Sequence, residues 1–235
     1  MTLAQQEYRK RQVHRKRMVI LWRCLLFVLF LVIWEVSADT GILDAFIFSS
    51  PSRIFASFLI MAEDGSIFYH TGITILETLV SFALVTVIGL VCALALWRSK
   101  MLADILEPYL VILNSLPKSA LAPLLIVWLG SNMKTIVVAA VSIAVFGSIL
   151  TLHTGFMETD PDKIRLIYSL GGKKRDVLWK VLLPGSIPLI ISNMKVNIGL
   201  CLVGVIIGEF LAARAGLGYL IIYSTQIFSC DYKVI

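Results

Sequence analysis

Apolar runs close to the length of a bilayer crossing recur along this chain, at residues 18–36, 73–97, 135–154 and 189–212. A membrane-spanning helix needs about 20 mostly apolar residues, and each run meets that length. A further run, 102–130, is as apolar but is broken by Pro117 and Pro123. With 58% hydrophobic residues and a mean hydropathy of +0.88, the chain is too apolar for a soluble domain of its size. The expected fold is all-α: a polytopic membrane protein of about five transmembrane helices.

The charges sit between the runs. Residues 1–17 carry Arg9, Lys10, Arg11, Arg15, Lys16 and Arg17 against Glu7, and the inner segments 98–104 and 155–186 are rich in Lys and Arg. Residues 37–72 show the opposite balance, with Asp39, Asp44, Glu63 and Asp64 against Arg53. Under the positive-inside rule the N-terminus is cytoplasmic and the runs alternate in direction. The net charge of +6 is therefore a topology signal and not a nucleic-acid footprint. The run 18–36 is longer than a signal-peptide core and is read as the first span. Ser49-Ser50-Pro51-Ser52 breaks the outer loop, and 54–62 is expected to form a short interfacial helix.

Between the last two spans lies the most charged internal stretch, 160–188. Asp160 is placed to cap a helix, with Pro161 at its first position. Ile164, Ile167 and Leu170 recur at helical spacing. Gly171-Gly172 ends the first helix. A second helix is expected from Lys173 to Leu183, stopped by Pro184. This compact, basic, amphipathic hairpin has little to do in lipid and suits the holding of another protein.

Gly171, nine residues, then Val181-Leu182-Leu183-Pro184 resembles the cytoplasmic loop of permease subunits of ATP-binding-cassette importers. Ser115-Leu116-Pro117, Ala122-Pro123-Leu124, Gly208-Glu209-Phe210 and Gly216-Leu217-Gly218-Tyr219 resemble the nitrate/taurine/sulfonate branch of that family. The likeness spans about Thr71 to Ile222. Arg165-Leu166-Ile167 departs from it, standing where Glu-Ala-Ala is usual. The resemblance implies a permease for a small solute, an organic or inorganic anion or a vitamin precursor, in a bacterial inner membrane. It implies a homodimer, partner ABC ATPase subunits that bind ATP and Mg, and an extracytoplasmic solute-binding protein. It assigns ATPase coupling to Asp160, Arg165, Leu166, Ile167, Gly171, Gly172, Lys173 and Pro184. A translocation path would use Asn114, Pro117, Lys118, Pro123, Asn197 and Glu209. For the broken third span, a kinked helix with a snorkelling Lys118 is the alternative to a path wall.

Other residues exclude chemistry. No phosphate-binding loop is present; Gly130-Ser131-Asn132-Met133-Lys134-Thr135 lacks the second glycine. The chain is thus not expected to hydrolyse ATP or to carry a cofactor of its own. His14, His70 and His153 share no metal-ligand spacing, and Cys24, Cys92, Cys201 and Cys230 are too dispersed for a disulfide framework. An ATPase-independent secondary transporter or channel is the competing function. Glu77 and Glu209, the carboxylates of the later spans, lie near outer ends and not at the midplane such proteins favour. Gly204 and Gly208 form a small-residue face for close helix packing, with Gly199 nearby. The organisation expected is a basic segment 1–17, a first span and periplasmic loop 18–72, a permease core 73–222 containing the coupling loop 155–186, and an atypical tail 223–235. Residues 213–223 are expected as an outer re-entrant or gate segment. The family usually adds a sixth span there, so the tail reads as truncated or unusual.

Overall fold

A computed structural model describes residues 3–43 and 48–231, without the side chains of residues 3–11, 13, 118–119 and 225–231. All regular structure among the described residues is helical: α1 (Leu3–Asp39), α2 (Pro51–Glu63), α3 (Ser66–Arg98), α4 (Lys100–Ser115), α5 (Lys118–Leu129), α6 (Met133–Met157), α7 (Pro161–Ser169), α8 (Lys174–Val177), α9 (Leu183–Ala212) and α10 (Leu217–Asp231). A π-helical turn, Leu178–Leu182, joins α8 to α9. Among the described residues, four helical stretches are long and apolar enough to cross a membrane, and a fifth crossing results if α4 and α5 count as one bent span.

The chain divides into two units, residues 1–67 and 68–235. In the first, α1 exposes its apolar side chains, Trp22, Phe27 and Phe30 among them. The serine-rich break does not merely interrupt the chain: it starts α2. Ser50 caps that helix by accepting from Arg53 N–H, Pro51 follows in its first turn, and the Ser52 N–H and hydroxyl both donate to Glu35.

The second unit is a bundle built around α6 and α9. Three apolar clusters follow one another along it. Ile136, Ala140, Val205 and Ala212 form one end; Val85, Leu96, Ala144, Ile149 and Cys201 lie between; Ala93, Leu152, Phe156 and Leu182 form the end that carries the α7–α8 hairpin. In lipid, apolar contact alone gives helices no reason to associate, so close backbone approach and interhelical hydrogen bonds matter more. Both occur here. A Cβ on Gly204 would lie 2.7 Å from Ala140 Cα, and one on Gly208 3.2 Å from Ile136 Cα. Gly199 faces open space and takes no part. At mid-bundle, Asn193 and Asn197, one turn apart on α9, both donate to Ser148 Oγ of α6, at 2.8 and 2.9 Å.

Prolines act differently from one another. Pro117 breaks the third span: Leu116 before it is extended, as a residue preceding proline prefers, and α4 and α5 are bent by 102°. Pro123 lies inside α5 and Pro108 inside α4 without ending either helix. Each removes one backbone donor, a loss that membrane helices tolerate where neighbours compensate. Pro184 likewise does not stop its helix. It occupies the first turn of α9, directly after the π turn, whose wider winding carries the chain past the proline ring without a break. The second arm of the hairpin is therefore continuous with the last long span. Residues 217–231 of the expected gate region form a helix.

Candidate functional site

The hairpin is defined by its caps. Asp160 Oδ1 accepts from Asp162 N–H at 2.9 Å and Pro161 starts α7. At the other end Gly171, with φ +79°, turns the chain in the left-handed region. Gly172 N–H donates to Ile167 O and Gly171 N–H to Tyr168 O, the paired bonds of a Schellman motif. A side chain on Gly172 would strike Ile167, so both glycines are required, for different reasons. Lys173 begins the second arm, where its N–H donates to Asp176 Oδ2 at 2.9 Å.

The side chains then sort by direction. Leu182 is buried against the ends of α3 and α6, in a cluster with Leu152, Phe156 and Trp97, and Val177 is buried as well. Ile164 and Ile167 are half-buried. Leu166, Tyr168, Leu170 and Trp179 point outward, Leu170 with 76% of its surface exposed. Leu170 leaves the expected stripe because it is the C-cap, where the backbone no longer follows the helix. Arg165 pairs with Asp162, Lys163 with Asp160 and Lys180 with Asp176, all at the surface. Lys174 does not join the free basic cluster: its Nζ donates to Arg98 O.

Of the path candidates, Asn114, Pro117 and Pro123 lie on exposed faces of α4 and α5, and the Lys118 side chain falls outside the described residues. Asn197 and Glu209 are each 1% exposed within the chain. Asn197 belongs to the Ser148 cluster. Glu209 organises the far end of the bundle. Its Oε1 accepts from Thr74 Oγ1 at 2.7 Å and its Oε2 from Gly218 N–H at 2.6 Å. Thr74 Oγ1 in turn accepts from Leu217 N–H, and His70 Nδ1 from Gly216 N–H, both at 2.9 Å. Three successive N–H groups at the start of α10 are thus held by side chains of α3 and α9. A helix N-terminus leaves such donors unpaired and favours negative charge. The two glycines of Gly216-Leu217-Gly218-Tyr219 are explained as well. A Cβ on Gly216, whose φ is +119°, would fall on the Glu209 carboxylate, and one on Gly218 would fall on Glu209 Cβ and the Ile206 carbonyl oxygen. Thr74 and His70 were not among the expected site residues. The available signal was polar residues at helical spacing in an apolar span: Thr74, Glu77 and Ser81.

Bilayer-length helices, a broken span and a capped polar hairpin at one end define a polytopic helical membrane protein. The model of the family described as binding-protein-dependent transport system inner membrane component matches residues 85–233. The chain belongs to that family. It is 30% identical over 201 residues to a Haemophilus influenzae protein named "Probable ABC transporter permease protein", covering 86% of this chain and 81% of that one. It is 28% identical to the formylaminopyrimidine transport permease protein of Halalkalibacterium halodurans, covering 83% of this chain and 77% of the relative. It is 24% identical to the taurine transport system permease protein of Escherichia coli, covering 86% and 75%. A chain of the inward-facing MetNI methionine ABC transporter shares the fold, with a TM-score of 0.57 at 19% identity, over 64% of this chain and 76% of that one.

Proposed function

We propose that this permease works as one of two identical membrane subunits of an ATP-driven importer and takes its drive through the 160–184 hairpin. The observation that carries this reading is the division of the hairpin's side chains. Val177, Leu182 and Lys174 anchor it to the bundle, while Leu166, Tyr168, Leu170 and Trp179 stay exposed. Exposed apolar groups on a hairpin that also carries the exposed Lys163, Arg165, Lys173 and Arg175 suit the groove of a soluble ATPase with an acidic rim. ATP and Mg would bind that partner, which closes around them and moves the hairpin. Because α8 runs through the π turn into α9, a displaced hairpin carries a bilayer-length helix with it. ATP binding then biases an equilibrium between inward- and outward-open states, as population shift requires.

The orientation that goes with this places the hairpin and the N-terminus in the cytoplasm of a bacterium and the α9–α10 turn outside, facing a solute-binding protein. Asn114, Pro117, Lys118 and Pro123 are the residues assigned to the translocation path, with carbonyls freed at the break offering polar contacts. The solute class that fits the relatives is a small sulfonate, taurine or nitrate-like anion, or a vitamin precursor. An ATPase-independent carrier is the rival, and one experiment separates the two. The tagged permease, expressed with an ABC ATPase from the same genome, should co-purify with that enzyme, and Leu170→Glu should abolish capture while leaving thermal stability unchanged. Solute uptake by vesicles containing the permease alone would overturn the proposal.

A further inference from the structure

The far-end clamp contains a second, unused set of partners. Thr74 and Thr78 are one helical turn apart on α3, as are Glu77 and Ser81, and all four are buried. Thr74 is fully engaged: it donates to Glu209 and accepts from Leu217 N–H. Glu77 also faces Glu209. The hydroxyls of Thr78 and Ser81, and Oε2 of Glu77, have no hydrogen-bond partner among the described residues. Buried hydroxyls without partners are costly and uncommon in native proteins. Here they lie one turn further along the same face that Glu209 already grips.

We propose that Glu209 is the fixed catch of a two-position ratchet, held by Thr74 in this state and by Thr78 after α3 moves about one turn along α9, roughly 5.4 Å. Two of the three contacts to the start of α10, His70 to Gly216 and Thr74 to Leu217, come from α3. Movement of α3 therefore withdraws both together and frees the α9–α10 turn, while Glu209 keeps a hydroxyl partner throughout. The orphaned groups of one state become the bonded groups of the other. This inference rests on the permease reading, since it makes the freed turn the outer gate.

The test uses the complete complex in nanodiscs, with ATPase and binding protein, at rest and trapped with ATP analogue and vanadate. Hydrogen exchange at residues 214–219 is read against α6 and α9 amides. At rest, Thr74→Val should speed exchange of the Gly216–Gly218 amides by roughly tenfold, the effect of losing a buried hydrogen bond. Thr74→Ser should restore protection. Thr78→Val should leave resting protection unchanged yet slow solute uptake by roughly tenfold, because it removes a bond made only in the second state; Thr78→Ser should rescue it. Trapping should release the 216–218 amides in the wild type. Uptake at the wild-type rate in Thr78→Val, or 216–218 amides equally protected at rest and when trapped, would reduce the cluster to a static cap and overturn the ratchet. Failure of the ATPase to co-purify would instead strike the importer reading, leaving the effect of Thr74→Val on the isolated permease as the measure of the clamp.

Discussion

The ammonium of Lys174 donates to the main-chain carbonyl of Arg98 over 2.6 Å and stands 5.2 Å from the centre of the Trp97 ring. A carbonyl in the last turn of a helix has no intrahelical donor, and the helix dipole favours a cation there. The hairpin is therefore tied to the end of α3 as well as continuous with α9. Lys174→Ala should keep ATP hydrolysis but lower the solute moved per ATP, whereas Lys173→Ala should weaken ATPase capture. Equal effects of the two substitutions on both readouts would contradict this division, which separate measurement of hydrolysis and uptake in proteoliposomes can detect.

Glycine-to-alanine changes along α9 should rank by what each new methyl meets. Gly204→Ala meets the Ala140 backbone and should cost about 1–3 kcal/mol, as overpacking does. Gly208→Ala, with its nearest atoms just beyond 3 Å on Ile136, should cost less. Gly199→Ala meets nothing and should be neutral or stabilising by up to about 1 kcal/mol, since glycine is a poor helix former. Unfolding in mixed micelles measures the order, and a flat series would show that α6 and α9 do not pack this closely.

Ser148 is a shared acceptor for two amides, so its removal should exceed the usual effect of losing one hydroxyl. Ser148→Ala leaves the Asn193 and Asn197 Nδ2 groups without that partner in a buried layer. A loss of about 1–3 kcal/mol is expected from stranding buried donors. The double variant Asn193→Leu, Asn197→Leu in the Ser148→Ala background should recover part of it, because an apolar layer has no donors to strand.

Gly216→Ala should be worse than Gly171→Ala. Both positions have positive φ, but only at Gly216 does the added carbon also meet a carboxylate. The expected result is selective loss of amide protection at the start of α10 for Gly216→Ala, with α6 and α9 unchanged. Loss confined instead to the hairpin variant would overturn the clamp geometry.

Much of this protein could be read from residue order. Apolar run length predicted the crossings, and Asp160, Pro161 and Gly171-Gly172 predicted the hairpin, because caps and left-handed turns are local demands met by local residues. The small face at Gly204 and Gly208 was legible for the same reason, although Gly199, a little over a turn before Gly204, meets no described neighbour. Pro184 misled because a π turn is a property of backbone winding that composition does not announce. Asn197 and Glu209 were expected on the translocation path from the family resemblance, and residue order did not show which groups they bond. Within the chain they satisfy, respectively, a serine 49 residues away and a threonine 135 residues away.

Apolar run length and capped turns were determined by the sequence alone, because they depend on bilayer thickness and on neighbours within a few residues. Which polar groups meet inside the bundle was decided only by tertiary structure. A buried carboxylate has no preferred partner until helices from distant parts of the chain are set side by side, and here that contact turns Glu209 from a solitary charge into the hold on the α9–α10 turn.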